Sequence, residues 1–119
     1  MSWIRLGSLL MFVGVALGAF GAHGLKAHLS PEAQDIYQTG VFYHLIHALA
    51  LLAVGTLTIL KPSESLVRQA GAAFVIGIML FSGSLYLLSI TGIKKWGMIT
   101  PLGGLVFLIG WLLLALATQ

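Results

Sequence analysis

Long apolar stretches alternate with short polar segments along the chain. Its nine charged residues leave four long intervals without charge, residues 6–25, 36–60, 69–93 and 96–119, which hold 20, 25, 25 and 24 residues. A helix rises about 1.5 Å per residue, so each interval can cross a hydrocarbon core of roughly 30 Å. The pattern therefore predicts an all-α polytopic membrane protein with four transmembrane helices.

Capping residues indicate where these helices begin. Ser30 followed by Pro31 is typical of a helix start, with a hydroxyl cap and proline at the first position. Ser63 and Thr100 are similar candidate caps for the third and fourth helices. We therefore expect helices at about 3–24, 31–60, 64–91 and 100–118, within a single transmembrane domain covering 1–119. The short links favour an antiparallel up-down-up-down bundle with both termini on one side.

The first apolar segment has a second interpretation. A charged start, an apolar run and the small residues Ala19 and Gly21 are also typical of a secretory signal peptide with its cleavage site. We expect the segment to be retained as the first helix, and cleavage is the alternative.

Composition indicates that the protein lies in lipid. Hydrophobic residues make up 59% of the chain and charged residues 8%, whereas soluble domains carry about 25% charged residues. The net charge is +3, but the cations stand at the ends of apolar spans as interfacial anchors. No nucleic-acid motif is present, so we expect the lipid bilayer and no nucleic acid as a partner. Cysteine is absent, which excludes disulfides and thiolate metal sites.

Lysine and arginine positions bear on orientation. In an antiparallel bundle, one side carries Arg5, Lys61 and Arg68, and the other carries Lys26, Lys94 and Lys95. Each side therefore carries three cationic side chains, and these do not favour either orientation. The positive charge of the amino terminus then favours the orientation with both termini in the cytoplasm. The short links and the lack of a transit peptide favour a bacterial cytoplasmic membrane.

Polar side chains concentrate in one half of the predicted bundle. If the second span enters the membrane near Tyr37, His44 and His47 lie about 10 and 15 Å deep, on one helix face. Ionisable groups at such depth usually face the bundle interior or an aqueous cavity. The candidate polar cluster consists of His23, Tyr43, His44, His47, Ser82, Tyr86 and Ser89.

Two interpretations of the candidate polar cluster differ in their chemistry. In the first, neutral imidazoles hydrogen-bond to side chains or carbonyls of neighbouring helices and hold the bundle together. In the second, His44, His47 and His23 supply three nitrogens for a metal, a ligand or a proton path. Haem is disfavoured because the remaining imidazoles, at His23 and His28, lie near the membrane surface. We favour the first interpretation and expect no cofactor.

Small residues predict close helix contacts. Gly14 and Gly18 form a GxxxG pair on the first helix, and Ala73 with Gly77 forms a similar pair on the third. We favour packing within the bundle over a homo-oligomer interface.

Four motifs follow one another along nearly the whole chain. They are GAFGAHGL at 18–25, YQTGVFYHLIHA at 37–48, FSGSLY at 81–86 and TPLGG at 100–104. In these motifs the chain resembles a family of small membrane proteins of unknown function, bacterial and eukaryotic, that includes transmembrane protein 256. The resemblance implies an integral membrane protein and supplies no activity or catalytic residue.

No catalytic constellation is visible in the sequence. Its carboxylates, Glu32, Asp35 and Glu64, all lie near the predicted interfaces, and no serine stands in a nucleophile turn. We therefore expect a non-enzymatic structural or assembly protein, with a homo-oligomer or a membrane-protein partner. The alternative is an oligomeric small transporter or channel with a polar half-membrane cavity around His44 and His47.

Overall fold

The computed structural model describes residues 2–118, which form four helical spans of membrane length. The helices are, in chain order, α1 (Trp3–His23), α2 (Pro31–Leu60), α3 (Ser65–Gly77), α4 (Gly83–Thr91) and α5 (Thr100–Ala117). The third span joins α3 to α4, and a 3₁₀ turn at Lys94–Met98 leads into α5. No strand occurs in this part of the chain, and each span is long and apolar enough to cross a membrane. The predicted all-α class with four transmembrane helices is confirmed.

The second and third spans begin at different kinds of cap. Ser30 caps α2 as predicted, because its Oγ accepts the backbone N–H of Ala33 at 3.1 Å. At α3 the cap is Glu64 rather than Ser63, and a carboxylate oxygen of Glu64 accepts the N–H of Leu66 at 3.2 Å. A carboxylate can accept an unpaired backbone N–H at a helix start just as a hydroxyl can. Its negative charge is also stabilised by the positive end of the helix dipole.

Thr100 does not cap the last helix. It is the first residue of α5, after Ile99, and no side chain caps this end. Its Oγ1 lies 2.6 Å from the Oγ of Ser84 instead. The hydroxyl expected to cap the helix therefore links α5 to Ser84 of α4, whose Oγ also lies 2.9 Å from the carbonyl oxygen of Phe81.

The third span is not the single regular helix that the sequence predicts over 64–91. One π-helical turn, Ile78–Ser82, separates α3 from α4. Such a turn changes the direction in which the following side chains point. Ser82 is fully buried at this turn and donates its Oγ–H to the carbonyl of Gly40 in α2 over 2.7 Å. No proline marks the irregularity in the sequence.

Consecutive spans pack antiparallel. Between α1 and α2, Gly7 faces Leu51 and Gly21 faces Tyr37, so residue numbers rise along one helix as they fall along the other. The same reversal occurs between α2 and the third span, where Gly40 faces Tyr86 and Val54 faces Gly71. It occurs again between the third span and α5, where Gly77 faces Phe107 and Phe81 faces Gly103. The register agrees with the up-down-up-down order expected from the short links.

The apolar core lies between α2, α3 and α5. Leu51, Val54, Val67 and Phe74 are inaccessible there, and Phe107 closes it from α5. The outer surface is also apolar, and its large side chains, including Phe12 and Leu108, face outward on every side. A protein that is apolar both inside and outside is suited to a lipid solvent.

Helix α1 packs on α2 along a seam of glycines. Its buried residues are Gly7, Gly14 and Gly21, which recur every seven residues and so fall on one face. A Cβ atom on Gly7 would lie 2.9 Å from the Cβ of Leu51, so only glycine permits this approach. The close contact brings the carbonyls of α1 within hydrogen-bonding distance of α2 side chains.

Candidate functional site

His44 connects three helical segments. Its ring is 3% exposed, and its Nε2 lies 2.7 Å from the carbonyl oxygen of Leu10 in α1. Its Nδ1 lies 2.8 Å from the hydroxyl oxygen of Tyr86 in α4. A carbonyl can only accept, so Nε2 carries the hydrogen and neutral His44 accepts the Tyr86 O–H at Nδ1. Both ring nitrogens are therefore engaged.

His47 uses the opposite tautomer. The indole N–H of Trp111 donates to Nε2 of His47 over 2.9 Å, and an indole N–H cannot accept. Nε2 is therefore unprotonated, and Nδ1 carries the hydrogen that it donates to the carbonyl of Tyr43 over 2.7 Å. The partners define a neutral imidazole with both nitrogens in use.

Aromatic rings surround His47. Its ring stacks on Phe107 with centroids 3.6 Å apart and an angle of 8° between the planes. Phe74 and Trp111 complete the enclosure, each with its centroid 5.6 Å from that of His47. The imidazole thus fills a position in the aromatic core of α2, α3 and α5 and is 3% exposed.

Tyr86 belongs to a second group of hydrogen bonds near Gly40. The Tyr86 ring packs against Gly40, where a Cβ atom would lie 3.0 Å from it, and Tyr37 lies 5.5 Å away between centroids. The Tyr37 hydroxyl donates to the carbonyl of Leu17 in α1 over 2.5 Å. Ser89 donates to the Tyr86 carbonyl over 3.0 Å, within its own helix. This group ties α1, α2 and α4 together.

Tyr43 contributes its backbone rather than its hydroxyl. Its carbonyl accepts from His47, while the side chain is 37% exposed and its ring centroid lies 4.6 Å from that of Phe81. The ring borders a groove of about 570 Å³ between α2 and α5, together with Phe107 and Trp111. Because the His47 nitrogens are already bonded, this groove presents an aromatic surface and no open imidazole.

His23 lies away from the two buried histidines. It is the exposed last residue of α1, whereas His44 contacts α1 at Leu10, about 20 Å further along the helix. Within residues 2–118, no group of three or more His, Cys, Asp or Glu side chains could hold a metal ion. The structure does not assemble the set of His23, His44 and His47 considered from the sequence.

The small residues singled out in the sequence lie at contacts within the bundle. Gly14 faces Leu45 and His44 of α2, and Gly18 faces Val41. On the third span both small residues face α5: Ala73 lies opposite Gly110, and Gly77 lies against Phe107.

Three residues of the site, Phe107, Trp111 and Tyr37, were not predicted from the sequence to belong to it. Trp111 and Phe107 supply a donor and a stacking surface for His47, and Tyr37 bonds to α1 although its position suggests an interfacial residue. Phe107 and Trp111 are four residues apart and so share a helix face. This spacing is the feature of the sequence that could have predicted that both contact the same partner. In the part of the chain that the structure describes, no buried side-chain nitrogen or oxygen lacks a partner.

These features define the class of the protein: a small polytopic membrane protein whose buried polar groups are satisfied between its own helices. Comparison with known proteins then identifies its family. The chain belongs to the DUF423 family, described as a protein of unknown function, whose family model matches residues 17–104. The family that includes transmembrane protein 256 is this same family, so the resemblance seen in the sequence is confirmed.

Relatives from different bacteria match nearly the full chain. It is 44% identical over 115 residues to the UPF0382 membrane protein YwdK of Bacillus subtilis, covering 97% of this chain and 94% of the relative. It is 43% identical over 116 residues to a UPF0382 membrane protein of Staphylococcus epidermidis, covering 98% and 93%. A UPF0382 membrane protein of Haemophilus influenzae is 43% identical over 113 residues, covering 95% and 90%. No solved structure matches the chain.

Proposed function

We propose that the protein is a non-enzymatic component of the membrane that acts by assembling with copies of itself or with other membrane proteins. One observation carries the non-enzymatic part of this proposal: all four nitrogens of His44 and His47 are engaged in hydrogen bonds that begin and end within the bundle. An imidazole acting as base, ligand or proton carrier needs a nitrogen that can reach its substrate. These imidazoles serve helix association.

The acidic residues support the same conclusion. A carboxylate of Glu64 caps α3, and Glu32 and Asp35 are exposed at the start of α2. Asp35 is the acidic residue of α2 nearest to the two histidines, about 14 Å along the helix from His44, so no carboxylate side chain of this helix stands beside them as an acid, a base or an orienting group. The chemistry of the cluster is therefore that of a structural element.

We further propose the cytoplasmic membrane of a bacterium as the location, with both termini in the cytoplasm. The bacterial relatives named as membrane proteins support the first part. Lysine and arginine divide evenly between the two sides of the membrane, so the orientation rests on experiment. Carboxyl-terminal fusions to a fluorescent protein and to alkaline phosphatase test the orientation. Fluorescence without phosphatase activity is expected, and the reverse would overturn it.

Assembly is tested with the double variant His44→Leu, His47→Leu, in which apolar side chains replace the bridging imidazoles. Ile46→Leu, on the lipid-facing side of the same helix, is the matched control. Crosslinking in membranes followed by mass spectrometry identifies contacts between copies and with partners. We expect the double variant to lose bundle stability and these contacts together, and the control to keep both.

The transporter or channel alternative predicts another result. Purified protein in liposomes would then conduct protons or small cations, and the double variant would lose that flux while remaining folded. Such a result would overturn the assembly proposal. Lack of flux in the wild-type protein, together with crosslinks that depend on the intact cluster, supports it.

A further inference from the structure

A groove with opposite charges lies at the end of the bundle formed by the first link, residues 24–30, and the third link, residues 92–99. It has a volume of about 370 Å³ and runs between the start of α2 and the end of α4. Glu32 and Ser30 line it from α2, and Lys94 lines it from the third link. Ile36, Leu88 and Ser89 form its inner wall. Ser89 is the one member of the candidate polar cluster that lines this groove, and its hydroxyl donates to the carbonyl of Tyr86.

The two charges that share the groove do not pair with each other. Glu32 and Lys94 are both exposed, and among residues 2–118 neither side chain forms an ion pair or a hydrogen bond. Opposite charges on one small groove attract, and a direct pair at an exposed position contributes little energy. A ligand that carries both charges can satisfy both residues at once.

The position of the groove selects a lipid as the source of that ligand. Glu32 and Lys94 flank apolar spans, so they lie at the level of the lipid headgroups. Ile36 is one helical turn deeper than Glu32, about 6 Å into the membrane. The groove therefore changes from charged to apolar in the direction in which a phospholipid changes from headgroup to acyl chain.

We propose that this groove binds phosphatidylethanolamine. Lys94 contacts the phosphate, Glu32 accepts hydrogen bonds from the primary ammonium, and the first acyl carbons lie along Ile36 and Leu88. A carboxylate and an ammonium together match a zwitterionic headgroup in charge. A choline headgroup cannot donate a hydrogen bond to Glu32, and a glycerol headgroup offers Glu32 no cation.

Lipid binding to the full-length protein tests this proposal. The probes are phosphatidylethanolamine, phosphatidylcholine and phosphatidylglycerol with identical acyl chains, added to detergent-purified protein and counted by native mass spectrometry. We expect phosphatidylethanolamine to be retained about fivefold more than phosphatidylcholine, which corresponds to one hydrogen bond of about 1 kcal/mol that choline cannot donate.

Two charge-removing variants separate the contacts. Glu32→Gln should abolish the preference for ethanolamine over choline, while Lys94→Gln should weaken both lipids because both carry the phosphate. Glu64→Gln and Lys61→Gln remove the same charges at the opposite end of the bundle and should leave the retention of all three lipids unchanged, and the glutamine keeps an oxygen that can cap α3. Both groove residues are exposed, so the variants should keep the wild-type unfolding transition.

Three results would overturn the proposal. Retention of phosphatidylglycerol as strong as that of phosphatidylethanolamine would indicate a general cationic surface. Displacement of the lipid by soluble phosphoethanolamine at equal concentration would indicate a water-soluble ligand. An unchanged lipid preference in both groove variants would place the lipid elsewhere.

Discussion

The indole of Trp111 and the imidazole of His47 are 64 positions apart in sequence and form a hydrogen bond of 2.9 Å in the middle of the bundle. The bond joins α5 to α2, which are not consecutive helices. Because an indole N–H only donates, the bond also requires a neutral His47 with its hydrogen on Nδ1. This one hydrogen bond therefore links α5 to α2 and fixes the protonation state of His47.

Trp111→Phe keeps an aromatic ring and removes the donor, leaving Nε2 of His47 without a partner. We expect a loss of about 1 kcal/mol in the free energy of unfolding, the usual size of such a bond between membrane helices. Reversible unfolding in mixed detergent micelles measures it. Trp96→Phe, in the third link, is the control and should be close to neutral. Equal stability of Trp111→Phe and wild type would show that the bond contributes nothing.

His44 and Tyr86 should be energetically coupled. The Nδ1 atom of His44 and the hydroxyl oxygen of Tyr86 are 2.8 Å apart. Inside the membrane there is no water to hydrogen-bond to these groups, so each depends on the other as its partner. In a double-mutant cycle of His44→Leu and Tyr86→Phe we expect a coupling energy of about 1 kcal/mol. The matched cycle of His47→Leu and Tyr86→Phe, whose side chains share no hydrogen bond, should give a value close to zero. Similar values in both cycles would contradict this arrangement.

Gly103→Ala tests the closest helix approach. A Cβ atom on Gly103 would lie 2.7 Å from the Cα of Phe81, and backbone atoms cannot move aside as a flexible side chain can. We expect a destabilisation of about 1–3 kcal/mol, typical of overpacking. Gly83→Ala is the control, because no atom lies within 4 Å of its added Cβ. Its unfolding transition should be unchanged or slightly raised, since alanine favours a helix more than glycine does.

Ser82 should stabilise the junction between α2 and the π-helical turn. Ser82→Ala removes the hydrogen bond to the Gly40 carbonyl from a fully buried position, and we expect a cost of about 1 kcal/mol. Ser8→Ala, at an exposed site on α1, should change stability by less than about 0.5 kcal/mol. The unfolding assay used for Trp111→Phe compares them, and equal effects would show that Ser82 has no special role.

The cap of α2 was predictable from the sequence, whereas the interior of the third span was not. Ser30 is found at its predicted cap because a cap depends on residues within one turn of each other. The π-helical turn before Gly83 was not predicted, since it forms where Ser82 contacts Gly40, 42 positions away. Thr100 also differs from its predicted role because Ser84, on another helix, competes for its hydroxyl.

The sequence by itself determined that the protein has four helices of membrane length and that His44 and His47 lie on the second of them. These properties follow from local composition, the rise of a helix and the thickness of a bilayer. Only the tertiary structure decided which atoms the two imidazoles contact and that His23 stays apart. Those contacts depend on how the helices rotate and slide against one another. This register is set by glycines such as Gly14, which lies against the side chains of Leu45 and His44, and Gly103, which lies against the backbone of Phe81.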